Sequence, residues 1–135
     1  MDSQNAQIVR SLYKAYVARD WDNFKRCISD SCVWIDSRGT QHLGPGEVAS
    51  YFQGWLASSS DESLEPTGFY DAGTTVVVEG VMRGTNDGPL GTFPPTGRKF
   101  ELPYCEVFHL EDGLVSRYRV YADFTNLMAQ LGLQT

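Results

Sequence analysis

Apolar residues recur at helical spacing through the first third of the chain and alternate with polar ones through most of the rest. Ile8, Val9, Leu12, Tyr13, Tyr16 and Val17 share one face of a helical period, which predicts an amphipathic helix over roughly residues 4–19. Asp20 stands where an N-cap belongs for a second helix carrying Trp21, Phe24, Cys27 and Ile28. The run Cys32-Val33-Trp34-Ile35-Asp36 predicts a short strand that ends at Ser37-Arg38-Gly39. Gly44-Pro45-Gly46-Glu47 then opens a third helix, with Pro in its first turn and Val48, Tyr51, Phe52, Trp55 and Leu56 on its apolar face. After a polar, serine-rich loop from Ala57 to Glu62, the period changes to alternation. Leu64–Asp71, Thr74–Arg83, Arg98–Leu110 and Leu114–Tyr121 are predicted as four strands of one mainly antiparallel sheet. A short last helix begins near Asp123 and carries Phe124, Leu127, Met128 and Leu131. The order ααβαββββ(α) describes an α+β fold with helices packed on one face of a curved sheet. No repeat or linker is visible, so one domain over residues 1–135 is expected.

Two connections matter for function. Residues Gly84 to Gly97 form a link long enough to serve as a lid or binding loop; a surface excursion fixed by its prolines is the equal alternative. Glu111-Asp112-Gly113 joins the last two strands, and a three-residue loop with a bulge would set Glu106 opposite Tyr118 and Tyr104 opposite Val120. A two-residue Asp-Gly turn would instead bring Arg119 beside Glu106. The choice decides which side chains share a face.

Composition narrows the function classes. Eleven Lys and Arg against 17 Asp and Glu leave a formal charge of −6, which repels a phosphate backbone, so no nucleic-acid partner is expected. No run approaches the roughly 20 apolar residues of a membrane span, and Met1-Asp2-Ser3-Gln4-Asn5 lacks the basic start of a leader. Cys27, Cys32 and Cys105 are odd in number and show no Cys-x-x-Cys spacing, which predicts a cytoplasmic protein with reduced thiols. His42 and His109 are far apart without clustered carboxylates, so no metal site is expected. Aromatic residues make up 13% of the chain, enough to furnish the walls of a cavity as well as a core.

Phe93-Pro94-Pro95-Thr96-Gly97-Arg98-Lys99-Phe100, Val107-Phe108-His109-Leu110-Glu111-Asp112-Gly113, Tyr121-Ala122-Asp123-Phe124 and Gln130-Leu131-Gly132 together resemble the SnoaL-like polyketide cyclases. These belong to the nuclear transport factor 2-like superfamily. Ala18-Arg19-Asp20-Trp21-Asp22 and the Trp34-Ile35-Asp36 strand look like the same superfamily, including its ketosteroid isomerases. The resemblance implies a cone-shaped α+β barrel, its curved sheet wrapped by the N-terminal helices around a deep apolar pocket. It also implies a homodimer formed through the sheet. Asp36 falls where the isomerases keep a general-base carboxylate. Glu106 falls where they keep a proton-donating acid and where the cyclases have a histidine. The cyclases' acid/base aspartate in the last strand aligns with Val120, a departure from the family pattern. The isomerases' tyrosine in the first helix aligns nearest Leu12, with Tyr13 and Tyr16 close but out of register.

The candidate catalytic residues are therefore Asp36 and Glu106. Asp36 is either a base whose pKa an apolar pocket raises or a strand-end carboxylate accepting loop N–H bonds. Glu106, within Tyr104-Cys105-Glu106-Val107-Phe108, is either a buried acid or an outward residue paired with Arg119. Trp34, Tyr104, Tyr118 and Tyr16 are expected to form substrate-binding walls, and Arg38 to stand at the mouth. Asp123 is expected to be an N-cap. The implied activity is a cofactor-independent isomerisation or cyclisation, in secondary metabolism, of a small apolar, carbonyl-bearing, polyketide-like substrate. The alternatives are a small-molecule-binding or dimerisation module without chemistry and, further off, a dehydratase or epoxide hydrolase.

Overall fold

Ser3 and Arg19 bracket the first helix, α1 (Gln4–Ala18), in a computed structural model that describes residues 2–133. The Ser3 hydroxyl accepts from the Ala6 N–H at 3.1 Å, and Arg19 takes a left-handed φ of 58° that turns the chain away. Ala6, Val9, Leu12, Ala15 and Tyr16 form its buried stripe. Val17, expected on that stripe, is 65% exposed. Asp20 caps α2 (Trp21–Arg26) as predicted, but the helix stops short of Ile28, which starts β1 (Ile28–Ile35). A three-residue strand that the pattern did not announce, β2 (Gln41–Leu43), leads into α3 (Gly44–Ala57). Then come β3 (Ser63–Asp71), β4 (Thr75–Thr85), β5 (Lys99–Glu111) and β6 (Leu114–Ala122), followed by α4 (Phe124–Gln130). The Asp123 carboxylate caps α4 by accepting from the Asn126 N–H at 2.9 Å. The expected domain limits Met1 and Thr135 lie outside the described residues, as does Gln134.

The six strands form one curved sheet in the order β2-β1-β6-β5-β4-β3, antiparallel except where β1 runs parallel to β6. The fold is thus the mixed α+β class predicted, with a mainly antiparallel sheet. Alternation places Phe100, Leu102, Tyr104, Phe108 and Leu110 of β5 and Val76 and Val78 of β4 in the interior. The parallel pairing sets Trp34 beside Tyr118, whose rings stack at 3.6 Å and 12°. Phe24 of α2 and Phe52 of α3 meet Trp34 edge-on or tilted, with centroids at 6.3 and 5.6 Å. Pairs of this kind add about 0.5–1.5 kcal/mol each beyond area burial.

The β5–β6 hairpin differs from the predicted register. Asp112 and Gly113, with φ of 52° and 74°, make a two-residue turn, and Glu111 pairs with Leu114. Leu110 then pairs with Val115 but His109 with Arg117, so Ser116 is an extra residue bulged out of β6. Beyond the bulge Glu106 lies opposite Val120 and Tyr104 opposite Ala122, rather than opposite Tyr118 and Val120. The bulge nevertheless returns Tyr118 and Val120 to the face that carries Tyr104 and Glu106.

The long connection is a fixed excursion. Asn86, almost fully buried, donates to the carbonyls of Ser58 and Gly88 and accepts from the Thr96 N–H and hydroxyl. Those bonds tie both ends of the loop together and to the end of α3.

Candidate active site

The helices and the concave side of the sheet enclose a cavity of about 110 Å³. Leu12 and Phe52 contribute to it from the helices, Trp34 and Tyr118 from the sheet, and Phe124 and Leu127 from the last helix. Its lining is overwhelmingly apolar. No residue between Asn86 and Gly97 touches it, so the lid reading of that loop is set aside. Arg38, exposed at the protein surface, also lines the cavity, with its guanidinium 4.9 Å from the centre of the Phe124 ring, and marks the mouth. Of the residues expected there, Trp34, Tyr104, Tyr118, Tyr16, Arg38 and Glu106 are all brought together on the cavity wall.

Glu106 is the chemical centre of that wall. Its strand neighbours are Val78 and Val120, so its backbone surroundings are apolar. One carboxylate oxygen accepts from the Tyr13 hydroxyl and the other from the Tyr118 hydroxyl. The Tyr104 hydroxyl lies 3.1 Å from that of Tyr13, extending the chain of phenols. Burial pushes the Glu106 carboxyl up from 4.5 to about 7, because desolvation outweighs the two tyrosine hydrogen bonds that favour its charged form. Burial and the neighbouring glutamate push Tyr13 and Tyr118 well above the ordinary phenol range, so both stay protonated and donate to Glu106. Tyr104 has room for its ring because residue 80, opposite it on β4, is glycine: a Cβ there would overlap the phenol and approach the Glu65 carbonyl at 2.8 Å.

Asp36 is placed differently from expectation. It is buried at 4% exposure, yet its carboxylate is spent on its own loop. Oδ1 accepts from the N–H groups of Arg38 and Thr40 at 2.9 and 3.0 Å, and Oδ2 lies 2.9 Å from His42 Nε2. Its neighbours Ser37 and Arg38 line the cavity and Asp36 does not; it faces a shallow hollow bordered by Arg119, Tyr121 and Asp123. The strand ends at Ile35, and the turn that follows takes the carboxyl off the inward-facing series.

A second carboxyl occupies the cavity instead. Glu62, at the end of the serine-rich loop, is 7% exposed and lines the cavity. Its Oε2 accepts from the Tyr16 hydroxyl at 2.6 Å and from Trp55 Nε1 at 2.9 Å. Burial raises its pKa despite those two bonds. Nothing local in the sequence announces it, since its burial depends on Tyr16 of α1 and Trp55 of α3 converging on a polar loop. Tyr13 is the other functional side chain that the sequence understated: it, and not Leu12, reaches Glu106 from the first helix. Among the described residues no group of three or more His, Cys, Asp or Glu is arranged to hold a metal ion, and no helix is long and apolar enough to cross a membrane.

The family model of the SnoaL-like domain matches residues 9–118. A curated relative, the aklanonic acid methyl ester cyclase DauD of Streptomyces sp. (strain C5), is 26% identical over 136 residues, covering 96% of this chain and 83% of the relative. Among solved structures, a candidate SnoaL-like polyketide cyclase from Jannaschia sp. CCS1 superposes with a TM-score of 0.89 at 20% identity, over 98% of this chain and 94% of that one. A protein of Catenulispora acidiphila with a ketosteroid isomerase-like fold, in complex with trimethylamine, superposes with a TM-score of 0.79 at 18% identity, over 94% and 93% of the two chains. At these identities the solved structures establish the fold.

Proposed function

The chain belongs to the SnoaL-like domain family, which supports a cyclase- or isomerase-type role, and from that premise we propose that it rearranges or cyclises a carbonyl-bearing, polyketide-like substrate by acid–base chemistry at Glu106. The observation that carries this reading is a carboxyl set in an apolar cavity and held by two phenol donors, where burial pushes its pKa up to about 7. A general base works best when its pKa lies near the working pH. The Glu106 carboxylate takes a proton from carbon next to the substrate carbonyl. The electron pair moves to the carbonyl oxygen, and the resulting enolate either closes a ring on a second carbonyl or accepts the proton back at a distant carbon. Each route returns the proton from Glu106, so neither consumes a cofactor.

Cavity size constrains the substrate. An apolar cavity of about 150 Å³ takes up benzene, so about 110 Å³ suits one ring. A larger substrate would place its reacting ring inside and the remainder toward Arg38 and Phe124. Trp34 and Tyr118 supply flat apolar walls on which a ring can lie.

The test is solvent-deuteron exchange into a cyclic β,γ-unsaturated ketone as a function of pH. Exchange should rise with a midpoint near pH 7 and fall by about 10²-fold or more in Glu106→Gln, the scale of general-base catalysis. Asp36→Asn should keep the exchange rate of the folded protein, because its carboxyl serves the loop. Its cost is to stability, about 1–3 kcal/mol for buried polar groups that lose their partner. Loss of exchange in a well-folded Asp36→Asn, with Glu106→Gln active, would return the base to Asp36. Tight binding of the ketone with no exchange in any variant would favour a binding module.

A further inference from the structure

Two buried polar side-chain atoms among the described residues have no hydrogen-bond partner, Glu62 Oε1 and Trp34 Nε1, and both belong to residues that line the cavity. Unsatisfied buried groups are rare enough that each calls for a reason. The Glu62 carboxyl is lopsided: both of its donors, the Tyr16 hydroxyl and the Trp55 indole, converge on Oε2. An ionised carboxylate would leave half its charge on a buried oxygen with no donor, which is costly. In the neutral acid, Oε2 is the carbonyl oxygen that two donors satisfy, and Oε1 carries the proton. Among the described residues none accepts that proton, which leaves the place to a molecule in the cavity.

We propose that Glu62 is the proton-donating partner of Glu106, a neutral acid whose Oε1–H meets the carbonyl oxygen of the bound substrate. The proposal rests on the reading of Glu106 as the base. The two carboxyls are near enough that charge on Glu62 raises the Glu106 pKa, so in one apolar cavity they do not readily ionise together. Their hydrogen bonding sorts them. Glu106 has a donor on each oxygen, which suits a carboxylate, whereas Glu62 has both donors on one oxygen, which suits an acid. When Glu106 removes the proton, negative charge builds on the carbonyl oxygen, and Glu62 hydrogen-bonds or protonates it there. When the carbonyl re-forms, Glu62 recovers its proton. Trp34 Nε1, the other unpartnered atom, is also a donor, so both open demands are for acceptors. A substrate that meets both carries two acceptor oxygens.

Glu62→Gln discriminates an acid from a structural group. The amide carbonyl still accepts from Tyr16 and Trp55, and the amide nitrogen stands where the acid hydroxyl was, so the fold is retained, while the transferable proton is lost. Two measurements are made on folded protein: a pH titration of carbon-13-labelled glutamate carboxyls without ligand, and deuteron exchange into a cyclic β,γ-unsaturated ketone. We expect a Glu62 carboxyl still protonated at pH 7, a Glu106 midpoint little changed in Glu62→Gln because a neutral amide replaces a neutral acid, and exchange reduced by about 10²-fold in that variant. A Glu62 carboxyl already ionised at pH 7, a Glu106 midpoint that moves well down in Glu62→Gln, or a Glu62→Gln variant with wild-type exchange overturns the proposal. Wild-type exchange in Glu106→Gln overturns the underlying assignment of the base instead.

Discussion

Acidification should stabilise this protein, against the usual trend for a domain with an excess of carboxylates. The group responsible is Glu106, whose carboxyl is held at about 7 in the fold against an ordinary 4.5. A raised carboxyl pKa means that the folded chain holds the proton more tightly than the unfolded one. The associated stability is complete below about pH 4.5 and is lost as pH rises through about 7. Each tenfold difference in proton affinity is worth about 1.4 kcal/mol, so the full effect is about 3 kcal/mol, and about 2–3 kcal/mol of it falls between pH 8 and pH 5. Glu62, raised by burial, adds in the same direction. Asp61, Asp71 and Asp87 oppose it, but hydrogen bonds hold these exposed carboxyls below their ordinary 3.8, so their stabilisation is lost only at lower pH. The assay is urea unfolding followed by tryptophan fluorescence at pH 8 and pH 5, on wild type and Glu106→Gln. Wild type should gain at least about 2 kcal/mol on acidification, and the amide variant distinctly less. Equal gains in the two proteins, or a loss in wild type, would refute the placement of this carboxyl in a dry cavity.

Two further substitutions test the surroundings of the site. Gly80→Val should displace the Tyr104 ring, cost about 1–3 kcal/mol through overpacking, and weaken ketone binding as measured by calorimetry. Asn86→Ala should release the Gly84–Gly97 connection, seen as faster amide exchange at Thr96 and Gly97, at a cost of about 1–3 kcal/mol. Because that loop does not line the cavity, deuteron exchange into the ketone should be unchanged.

The elements with strong periodicity were readable in advance, and the reasons are local. The apolar stripe of α1, the Asp20 and Asp123 caps and the alternation of β4 and β5 each sit within one short window of sequence. Three-residue β2 carries too few positions for any period to show. The β5–β6 register was harder, because the turn and the bulge act together and the bulge has no signature beyond Ser116 itself. The site divides in the same way. Glu106 stood out as a carboxyl in an apolar alternating run. Glu62 looked like one more polar loop residue, since the two rings that bury it come from positions 46 residues before it and seven before it. Asp36 shows the opposite difficulty. Its sequence fitted a strand-end turn equally well, and the hydrogen bonds to Arg38 and Thr40 are the local ones that such a turn makes.

Ser116 also limits how this scaffold can change. Relative to a three-residue loop, the tight turn and the extra residue each shift β6 by one position along β5, and the two-residue sum returns every side chain to its face. An insertion or deletion of a single residue in this hairpin would invert β6, sending Tyr118 outward and Arg119 in against Glu106. Paired edits would preserve the alternation. Lineages and designers alike can therefore lengthen this end of the protein in even steps and keep the chamber, whereas an odd step places a guanidinium where a phenol had been.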